Sequence, residues 1–407
     1  MKNKYFYIVV TPFFPSPNNW RGAYVLDQVK AIERNSNYSV IVFRPTSYRN
    51  DKKEYEVDGI KVFLFPTIQT PSYMFNGLFN EFNSRSFLKR INELDMDFNN
   101  IQFVHTHTAP LGIYALALHN VSSQIKTIVQ HHDLDPFLIR NGKFARWKLN
   151  ARYRAKNSLR IINAVDLNIC ISTPCKESLL SFPHARTAEV YESYIKALIP
   201  VSDLPKATPN NVYVLYNGVD TSVFNENINK TERNDNIFRI GCIANFQELK
   251  DHITLIKAFE ILIKKGYNNM RLSLLGTGET RSMCETYIQE HGLSGYVEWP
   301  IEVTHDKLPN YYRSLSIFVL PSIFEGFGCV YTEAYACGVP FICVDGNGAA
   351  EVIVPEERNR WVMRPHDYNQ LATLIEDFYN YRYEQQLCKP IDIDVLIIEY
   401  MKFIQTL

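Results

Sequence analysis

The sequence lacks an excess of either charge. It has 43 Lys and Arg against 43 Asp and Glu, which gives a formal net charge of zero. Proteins that bind nucleic acid through their overall charge carry a clear surplus of Lys and Arg. The balance therefore excludes a general electrostatic attraction to nucleic acid, and we expect no nucleic-acid partner.

The sequence also lacks clustered cysteines and long apolar runs. Its 8 Cys include no Cys-x-x-Cys pair and no His/Cys group at zinc-ligand spacing, so we expect reduced, mostly buried thiols. No run approaches the roughly 20 apolar residues of a membrane-spanning helix. The apolar run at 5–10 is too short for a signal peptide. We expect a cytoplasmic protein, at most peripheral to the inner face of the cell membrane.

What the chain does contain is a regular alternation of short apolar runs with segments of helical periodicity. This alternation predicts parallel α/β sheets, and 407 residues predict two domains. The predicted strands lie near 5–10, 39–43, 60–65, 101–105, 126–130, 166–171, 212–215, 238–244, 271–275, 296–299, 315–320, 341–344 and 360–363.

One βαβ unit, residues 315–344, organises the second half of the chain. Its loop contains Gly326 and Gly328, which let backbone approach a ligand closely, and a helix begins directly after them. Glu325 lies on the loop and Glu333 on the helix, so both can face the crevice at the carboxyl ends of the strands. Free amides with two carboxylates beside them suit a nucleotide-sugar.

The same residues carry a resemblance. Pro-Ser-x-x-Glu-Gly-Phe-Gly, the Glu-x7-Glu pair and Ala-x-Ala-Cys-Gly-x-Pro, all within 321–340, resemble the signature of retaining glycosyltransferases of the GT-B fold, family 4 (glycosyl transferases group 1). The resemblance implies two doubly wound Rossmann-like domains facing across a cleft. It implies an enzyme of the EC 2.4 type, which moves a hexosyl or related group from a nucleotide-diphosphate sugar to an acceptor hydroxyl.

The resemblance also implies domain bounds. We expect an acceptor-side domain over 1–205, a hinge near 205–215 and a nucleotide-sugar-binding domain over 212–390. The final helix, about 393–407, would pack back on the first domain. The residues 182–211 predict a short helix after Pro183 and a Pro-rich linker, whose role the sequence does not give.

Roles in the second domain follow from the family pattern. Glu325 and the backbone of 326–328, which includes Phe327, would hold the donor sugar, and Glu333 would hold the ribose. Lys250 would stabilise the leaving diphosphate, although an exposed Lys that caps a loop is an alternative. Asn245 stands where the family commonly has Arg. Part of the positive charge that would neutralise the diphosphate is therefore missing.

Two further loops match the family more loosely. Gly276-Thr277-Gly278-Glu279 resembles a turn near the nucleotide base, and a purely structural tight turn is as good an interpretation. The loop 345–351 resembles a Gly-rich loop ending in an acid, here Glu351, which could instead cap the next helix.

In the first domain, His107 and His132 follow neighbouring predicted strands, so both should face the crevice. The resemblance places them near the donor sugar and acceptor as hydrogen-bonding or proton-handling groups; satisfied structural histidines are the alternative. A zinc site there is poorly supported, since no third ligand is evident. Gly22 matches a glycine near the phosphate and acceptor, or is an ordinary glycine at a helix start.

Metal-binding motifs of other transferase folds have no convincing counterpart. Asp-x-Asp pairs occur at 95/97, 133/135 and 392/394 without the matching context, and we interpret them as incidental. By the resemblance, no cofactor and no metal are required, because a helix end and cations stabilise the diphosphate. A UDP-sugar is the expected donor.

The stretch 140–160 is basic and carries interleaved aromatic and apolar residues. One interpretation is a surface that touches an anionic membrane or a lipid-linked acceptor; the other is a helix covering its own domain.

Two alternatives to a glycosyltransferase stay open: a GT-B-fold nucleotide-sugar epimerase and a non-catalytic nucleotide-sugar-binding partner protein. The sequence does not give the base of the nucleotide, the donor sugar, the acceptor and the linkage formed, or the oligomeric state.

Overall fold

The computed structural model describes most of the chain. The described residues are 5–17, 19–69, 75–132, 148–181, 206–226, 236–300, 303–304 and 307–407, without the side chains of 148–152. The expected helix after Pro183, the 133/135 Asp pair and residues 140–147 of the basic stretch lie outside these ranges. The chain divides into two compact units, Met1–Tyr216 with Ile393–Leu407, and Asn217–Asp392.

The first unit is built on an eight-stranded sheet in the order β3-β4-β2-β1-β5-β6-β7-β8. Every pairing is parallel except β3–β4. The strands are β1 (Tyr5–Val10), β2 (Tyr38–Ser47), β3 (Glu54–Val57), β4 (Ile60–Thr67), β5 (Ile101–His107), β6 (Lys126–His131), β7 (Leu167–Cys170) and β8 (Val212–Val214).

Helices cover this sheet because their apolar faces need a partner. The helices are α1 (Ala23–Arg34), α2 (Asn80–Asn92), α3 (Gly112–Val121), α4 (Lys148–Ile162), α5 (Thr173–Leu180) and, from the end of the chain, α12 (Ile393–Ile404). Helix α5 begins where the sequence predicts, with the Ser172 hydroxyl accepting a hydrogen bond from the Cys175 amide.

Helix α12 belongs to the core of the first unit. Ile397, Tyr400 and Ile404 are buried in the same cluster as Val25 and Val29 of α1. At its start, the Asp394 carboxylate accepts hydrogen bonds from Arg34 at 2.9 and 3.1 Å. The end of the chain is therefore fixed to the first unit by both apolar burial and an ion pair.

The second unit is a six-stranded, fully parallel sheet in the order β11-β10-β9-β12-β13-β14. The strands are β9 (Phe238–Ile243), β10 (Met270–Leu275), β11 (Val297–Glu298), β12 (Ile317–Val319), β13 (Phe341–Val344) and β14 (Val362–Met363). The helices are α6 (His252–Lys264), α7 (Arg281–Glu290), α8 (Leu308–Arg313), α9 (Cys329–Ala336), α10 (Arg358–Trp361) and α11 (Tyr368–Tyr381). Strands β12 and β13 are buried on both faces, as their apolar runs predict.

Two expectations need correction, and one strand was not predicted. Residues 212–214 pair with β7 and so extend the first sheet, which places the start of the second unit at Asn217 and not at 212. Arg360 and Trp361 are helical, and the predicted strand there shrinks to β14. The antiparallel strand β3 was missed, although Asp58-Gly59 joins it to β4 with positive φ at both residues, a strong hairpin signal.

Among the described residues, no helix has both the length and the apolar character needed to cross a membrane.

Candidate functional site

In the second unit, the structure brings Lys250 and Glu325 together. Lys250 ends a 3₁₀ turn after β9, and Glu325 lies on the loop after β12. The Lys250 ammonium donates a hydrogen bond to Glu325 Oε1, and the two side chains are only 18% and 11% exposed. Each charge offsets the desolvation of the other, so the alternative of an exposed, loop-capping Lys250 is wrong.

Helix α9 starts beside this ion pair. Gly328 is its N-cap with φ +84, while Phe327 is buried and holds the loop to the core. One turn on, Glu333 Oε2 accepts a hydrogen bond from the Tyr312 hydroxyl at 2.7 Å. Burial raises the pKa of Glu333 to about 6 despite that hydrogen bond. Sequence reasoning missed Tyr312, because a tyrosine on the preceding helix carries no local sign of its partner.

The turn at Gly276 and Gly278 packs directly on the loop that carries Asn245. A Cβ at Gly276 would lie 2.0 Å from the Ala244 carbonyl oxygen, and one at Gly278 2.3 Å from that of Phe246. Both glycines are therefore required by the close approach of two backbones. The Asn245 side chain is exposed at the carboxyl end of β9.

Glu351 lies inside a 3₁₀ helix, Gly348–Val352, at the end of the loop that follows β13. The N-cap of this helix is Asn347, and the N-caps of the next two helical segments are Val354 and Glu357. The alternative that Glu351 caps the next helix is wrong.

In the first unit, His107 and His132 are also brought together. The His107 Nδ1 atom lies 2.7 Å from His132 Nε2, and the two rings are parallel with centroids 5.0 Å apart. Gly22 is the N-cap of α1 with φ +92. Two residues later, the ring of Tyr24 packs against that of His132, with centroids 5.1 Å apart. The carboxyl ends of β5 and β6 and the start of α1 thus converge on one cluster.

A third histidine, which sequence reasoning did not select, extends this cluster inward. His105 stacks on His107 with centroids 4.7 Å apart, because residues two apart on a strand share a face. Its Nδ1 atom lies 2.8 Å from the Tyr7 hydroxyl, which lies 2.7 Å from that of Tyr400 on α12. The His-x-His spacing of β5 was the signal that could have found it.

Two histidines of the cluster, His105 and His107, are held in the neutral form. Burial, together with the neighbouring His132, lowers the pKa of His105 to about 3. Burial and the two neighbouring rings lower the pKa of His107 well below its usual value. Near pH 7 these rings therefore hydrogen-bond as neutral groups, one nitrogen donating and the other accepting.

Among the described residues, no three His, Cys, Asp or Glu side chains converge as metal ligands. Three members of the Asp-x-Asp pairs have structural partners. Asp97 accepts a hydrogen bond from the Asn99 amide, Asp392 from Thr221 and Asp394 from Arg34.

Comparison with known families matches both halves of the chain. The family described as "Glycosyltransferase Family 4" matches residues 22–191, and "Glycosyl transferases group 1" matches residues 223–389. Together these matches cover most of the chain. The chain belongs to the group 1, family 4 glycosyltransferases. It is accordingly a transferase of the EC 2.4 type.

Individual relatives agree with this family. The capsular polysaccharide biosynthesis glycosyltransferase CapM of Staphylococcus aureus is 28% identical over 296 residues, 67% of this chain and 75% of CapM. A D-inositol 3-phosphate glycosyltransferase of Paenarthrobacter aurescens is 28% identical over 40% of this chain, which covers 42% of that protein.

Solved structures share the fold. Sucrose-phosphate synthase from Thermosynechococcus elongatus superposes with a TM-score of 0.69 at 16% identity, over 98% of both chains. Anabaena HepE in complex with UDP-glucose gives 0.64 at 17% identity, over 99% of this chain and 100% of HepE. The two Rossmann-like units are thus those of a GT-B glycosyltransferase.

The Tyr7 hydroxyl is the central member of its hydrogen-bonded chain, which predicts unequal effects of two substitutions. Tyr7→Phe leaves both His105 Nδ1 and the Tyr400 hydroxyl without this partner, whereas Tyr400→Phe leaves Tyr7 still bonded to His105. We expect Tyr7→Phe to lower the free energy of unfolding by about 1–3 kcal/mol, and Tyr400→Phe by less. Urea unfolding of both single variants and the double variant measures this. Because the sites are coupled, the double variant should resemble Tyr7→Phe; strictly additive losses would contradict the chain.

Proposed function

We propose that this glycosyltransferase moves a sugar from a nucleotide-diphosphate sugar to an acceptor hydroxyl with retention of the anomeric configuration. The observation that carries the proposal is the half-buried Lys250–Glu325 pair beside the start of α9, with Glu333 one turn into that helix. A cation, free amides and two carboxylates are the groups that a diphosphate and the hydroxyls of a sugar and a ribose require.

The proposed roles follow from charge. Lys250 and the amino end of α9 would stabilise the negative charge that develops on the leaving diphosphate, without a metal ion. Glu325 would accept hydrogen bonds from the sugar, and Glu333 from the ribose. Asn245 donates only neutral hydrogen bonds, so Lys250 would carry a large share of the stabilisation.

His107 and His132 would complete the proposed set in the first unit. Their ring nitrogens can donate to or accept from a hydroxyl of the donor sugar or the acceptor. The low pKa of His107 makes positioning a better role for that ring than accepting a proton near pH 7. Whether retention proceeds through same-face attack or a covalent intermediate stays open.

A UDP-sugar is the proposed donor, because HepE binds UDP and UDP-glucose. Starch synthase IV, also similar in fold, binds ADP, so other bases need testing. CapM acts in capsular polysaccharide biosynthesis. We therefore propose that this chain acts in the cytoplasm in the synthesis of a bacterial surface polysaccharide or glycoconjugate, on a sugar or lipid-linked acceptor.

Loss of Lys250 should impair the chemical step. We expect Lys250→Ala to lower kcat by roughly 100-fold or more, the effect of removing a group that stabilises transition-state charge. Lys265→Ala is the matched control, since Lys265 also pairs with a glutamate, Glu376, in the same unit; its kcat should stay near the wild-type value. The donor is first identified by thermal stabilisation with UDP, GDP and ADP sugars, and transfer to acceptor sugars is then followed by release of the nucleoside diphosphate.

The outcomes of this experiment separate the alternatives. An inverted anomeric configuration in the product, read by NMR, would contradict retention. Interconversion of donors without acceptor would indicate an epimerase, and donor binding with no turnover by the wild type would indicate a binding protein. Equal kcat for the wild type and Lys250→Ala would contradict the proposed site.

The pKa of Glu333, about 6, predicts a pH dependence of donor binding. Its carboxylate accepts hydrogen bonds from the ribose hydroxyls best when it is ionised. The affinity for the donor should therefore rise as the pH rises through 6 and level off near 7.5. Glu333→Gln should bind the donor more weakly at pH 7.5 and with little pH dependence. Calorimetry measures this affinity with the intact nucleotide-sugar, because its diphosphate does not titrate in this pH range. Glu376→Gln is the control. If donor binding by Glu333→Gln still depended on pH, the ribose role of Glu333 would be contradicted.

We also propose that the first unit makes a peripheral contact with anionic membrane. The described part of α4 buries Ala155, Leu159 and Ile162 and exposes Tyr153, Lys156 and Arg160, so it both covers its own domain and presents a basic face. The rings of Phe75 and Tyr153 pack edge to face with centroids 5.5 Å apart. Leu78 and Phe82 are 65% and 52% exposed. Exposed apolar side chains next to cations favour a lipid surface.

Vesicle sedimentation at low salt tests this contact. Wild-type protein should sediment with vesicles that contain anionic lipid and stay in solution with neutral ones. Leu78→Ser/Lys156→Ser should reduce sedimentation several-fold. Met283→Ser/Lys389→Ser, which removes the same kinds of exposed side chain from the second unit, should not. Equal sedimentation of the two variants would refute the surface, and no sedimentation of the wild type would refute the membrane contact.

A further inference from the structure

The Lys250–Glu325 pair spans two loops, and its own contact does not fix where those loops lie. The two residues are 75 positions apart, and their long side chains could meet in many loop conformations. A second set of contacts is needed to give the pair one position. The loops after β9, β12 and β13 provide it through two buried polar side chains, Ser322 and Asn347.

Asn347 holds the loop that carries Glu325 at both ends. It follows β13 and is only 1% exposed. Its Oδ1 atom accepts a hydrogen bond from the Glu325 amide at 2.7 Å, and its Nδ2 atom donates to the Ser322 carbonyl at 2.9 Å. An amide supplies the acceptor and the donor at once, whereas a carboxylate or a hydrophobic side chain of this size would not.

Ser322 connects the same loop to the one that carries Lys250. Its fully buried hydroxyl lies 3.0 Å from the carbonyl oxygen of Leu249 and 2.9 Å from that of Phe324, and its single proton is shared between these two acceptors. The Ile323 amide donates to the same Leu249 carbonyl at 2.8 Å. Leu249 directly precedes Lys250, so the connection runs from β13 through the Glu325 loop to Lys250.

We propose that Asn347 is a positioning residue of the donor site, acting directly on Glu325 and, through Ser322 and Leu249, on Lys250. Buried hydrogen bonds of this kind are short-ranged and directional, and in a low-dielectric interior they hold their groups firmly. Catalytic groups tolerate misplacement of only about 0.5 Å before rate is lost. This inference rests on the proposed function, since it assumes that the ion pair meets the donor.

The chain contains a matched control at the other end of the same strand. Gln385 accepts a hydrogen bond from the Phe341 amide at 2.9 Å and donates to the Phe341 carbonyl at 2.8 Å, and it is 7% exposed. It is also a buried amide that holds backbone at two points. Phe341 begins β13, however, so Gln385 lies away from the carboxyl end where Asn347 acts.

The experiment compares Asn347→Ala with Gln385→Ala by hydrogen exchange without ligand and by kinetics with the donor. Asn347→Ala should speed amide exchange in peptides covering 322–328 and 247–251 and lower kcat by about 10- to 100-fold. Gln385→Ala should lose a similar amount of thermal stability, speed exchange around 341 and keep kcat within about twofold. If Asn347→Ala does not fold, Ser322→Ala takes its place, with a smaller loss of kcat in the same direction.

Two results would overturn the inference. One is an equal kcat and KM in Asn347→Ala and Gln385→Ala, which would make Asn347 merely structural. The other is faster exchange confined to 345–350, which would mean that Asn347 does not hold the Glu325 and Lys250 loops. Hydrogen exchange needs no substrate. A wild type that neither binds nor turns over a nucleotide-sugar would therefore refute the proposed function, while the exchange data would still decide the connection between the loops.

Discussion

The proposed site in the second unit is built around the pairing of two charges that are both largely withdrawn from water. An ammonium or a carboxylate alone in this position would carry an uncompensated desolvation cost, and the pairing offsets part of it for both. In the proposed function the same two groups are those that meet the donor. A diphosphate would then replace Glu325 as the partner of Lys250, and a sugar hydroxyl would replace Lys250 as the partner of Glu325. The ion pair thus keeps the site satisfied until a ligand of matching charge arrives.

The first unit solves a different form of the same problem. In its histidine cluster, burial keeps His105 and His107 neutral instead of pairing them with opposite charges. The two rings stack on each other, and hydrogen bonds run from Tyr400 on α12 through Tyr7 to His105. The last helix of the chain therefore supports the inner side of the histidine cluster.

The sequence predicted the strands of both sheets well, because parallel strands buried on both faces appear as continuous apolar runs. It failed where a run is short or half-exposed. The edge strand β3 has only Val57 buried, and residues 212–214 are half-exposed and could be assigned to a domain only by their pairing with β7. The loop and helix that carry Glu325 and Glu333 were predictable, since the signals for them are local.

By itself, then, the sequence determined the α/β rhythm, the Gly-rich loop before α9, the placement of Glu325, Lys250, His107 and His132 in segments that follow strands, and that of Glu333 on a helix. Apolar periodicity and turn residues act over a few positions and are readable in one dimension. Only the tertiary structure decided which of these groups meet: Lys250 with Glu325, His107 with His132, Glu333 with Tyr312, and Asn347 with the Glu325 loop. The Tyr7 and Tyr400 hydroxyls are 393 positions apart in the chain. Their contact follows from how helices pack on a sheet, which no local pattern encodes.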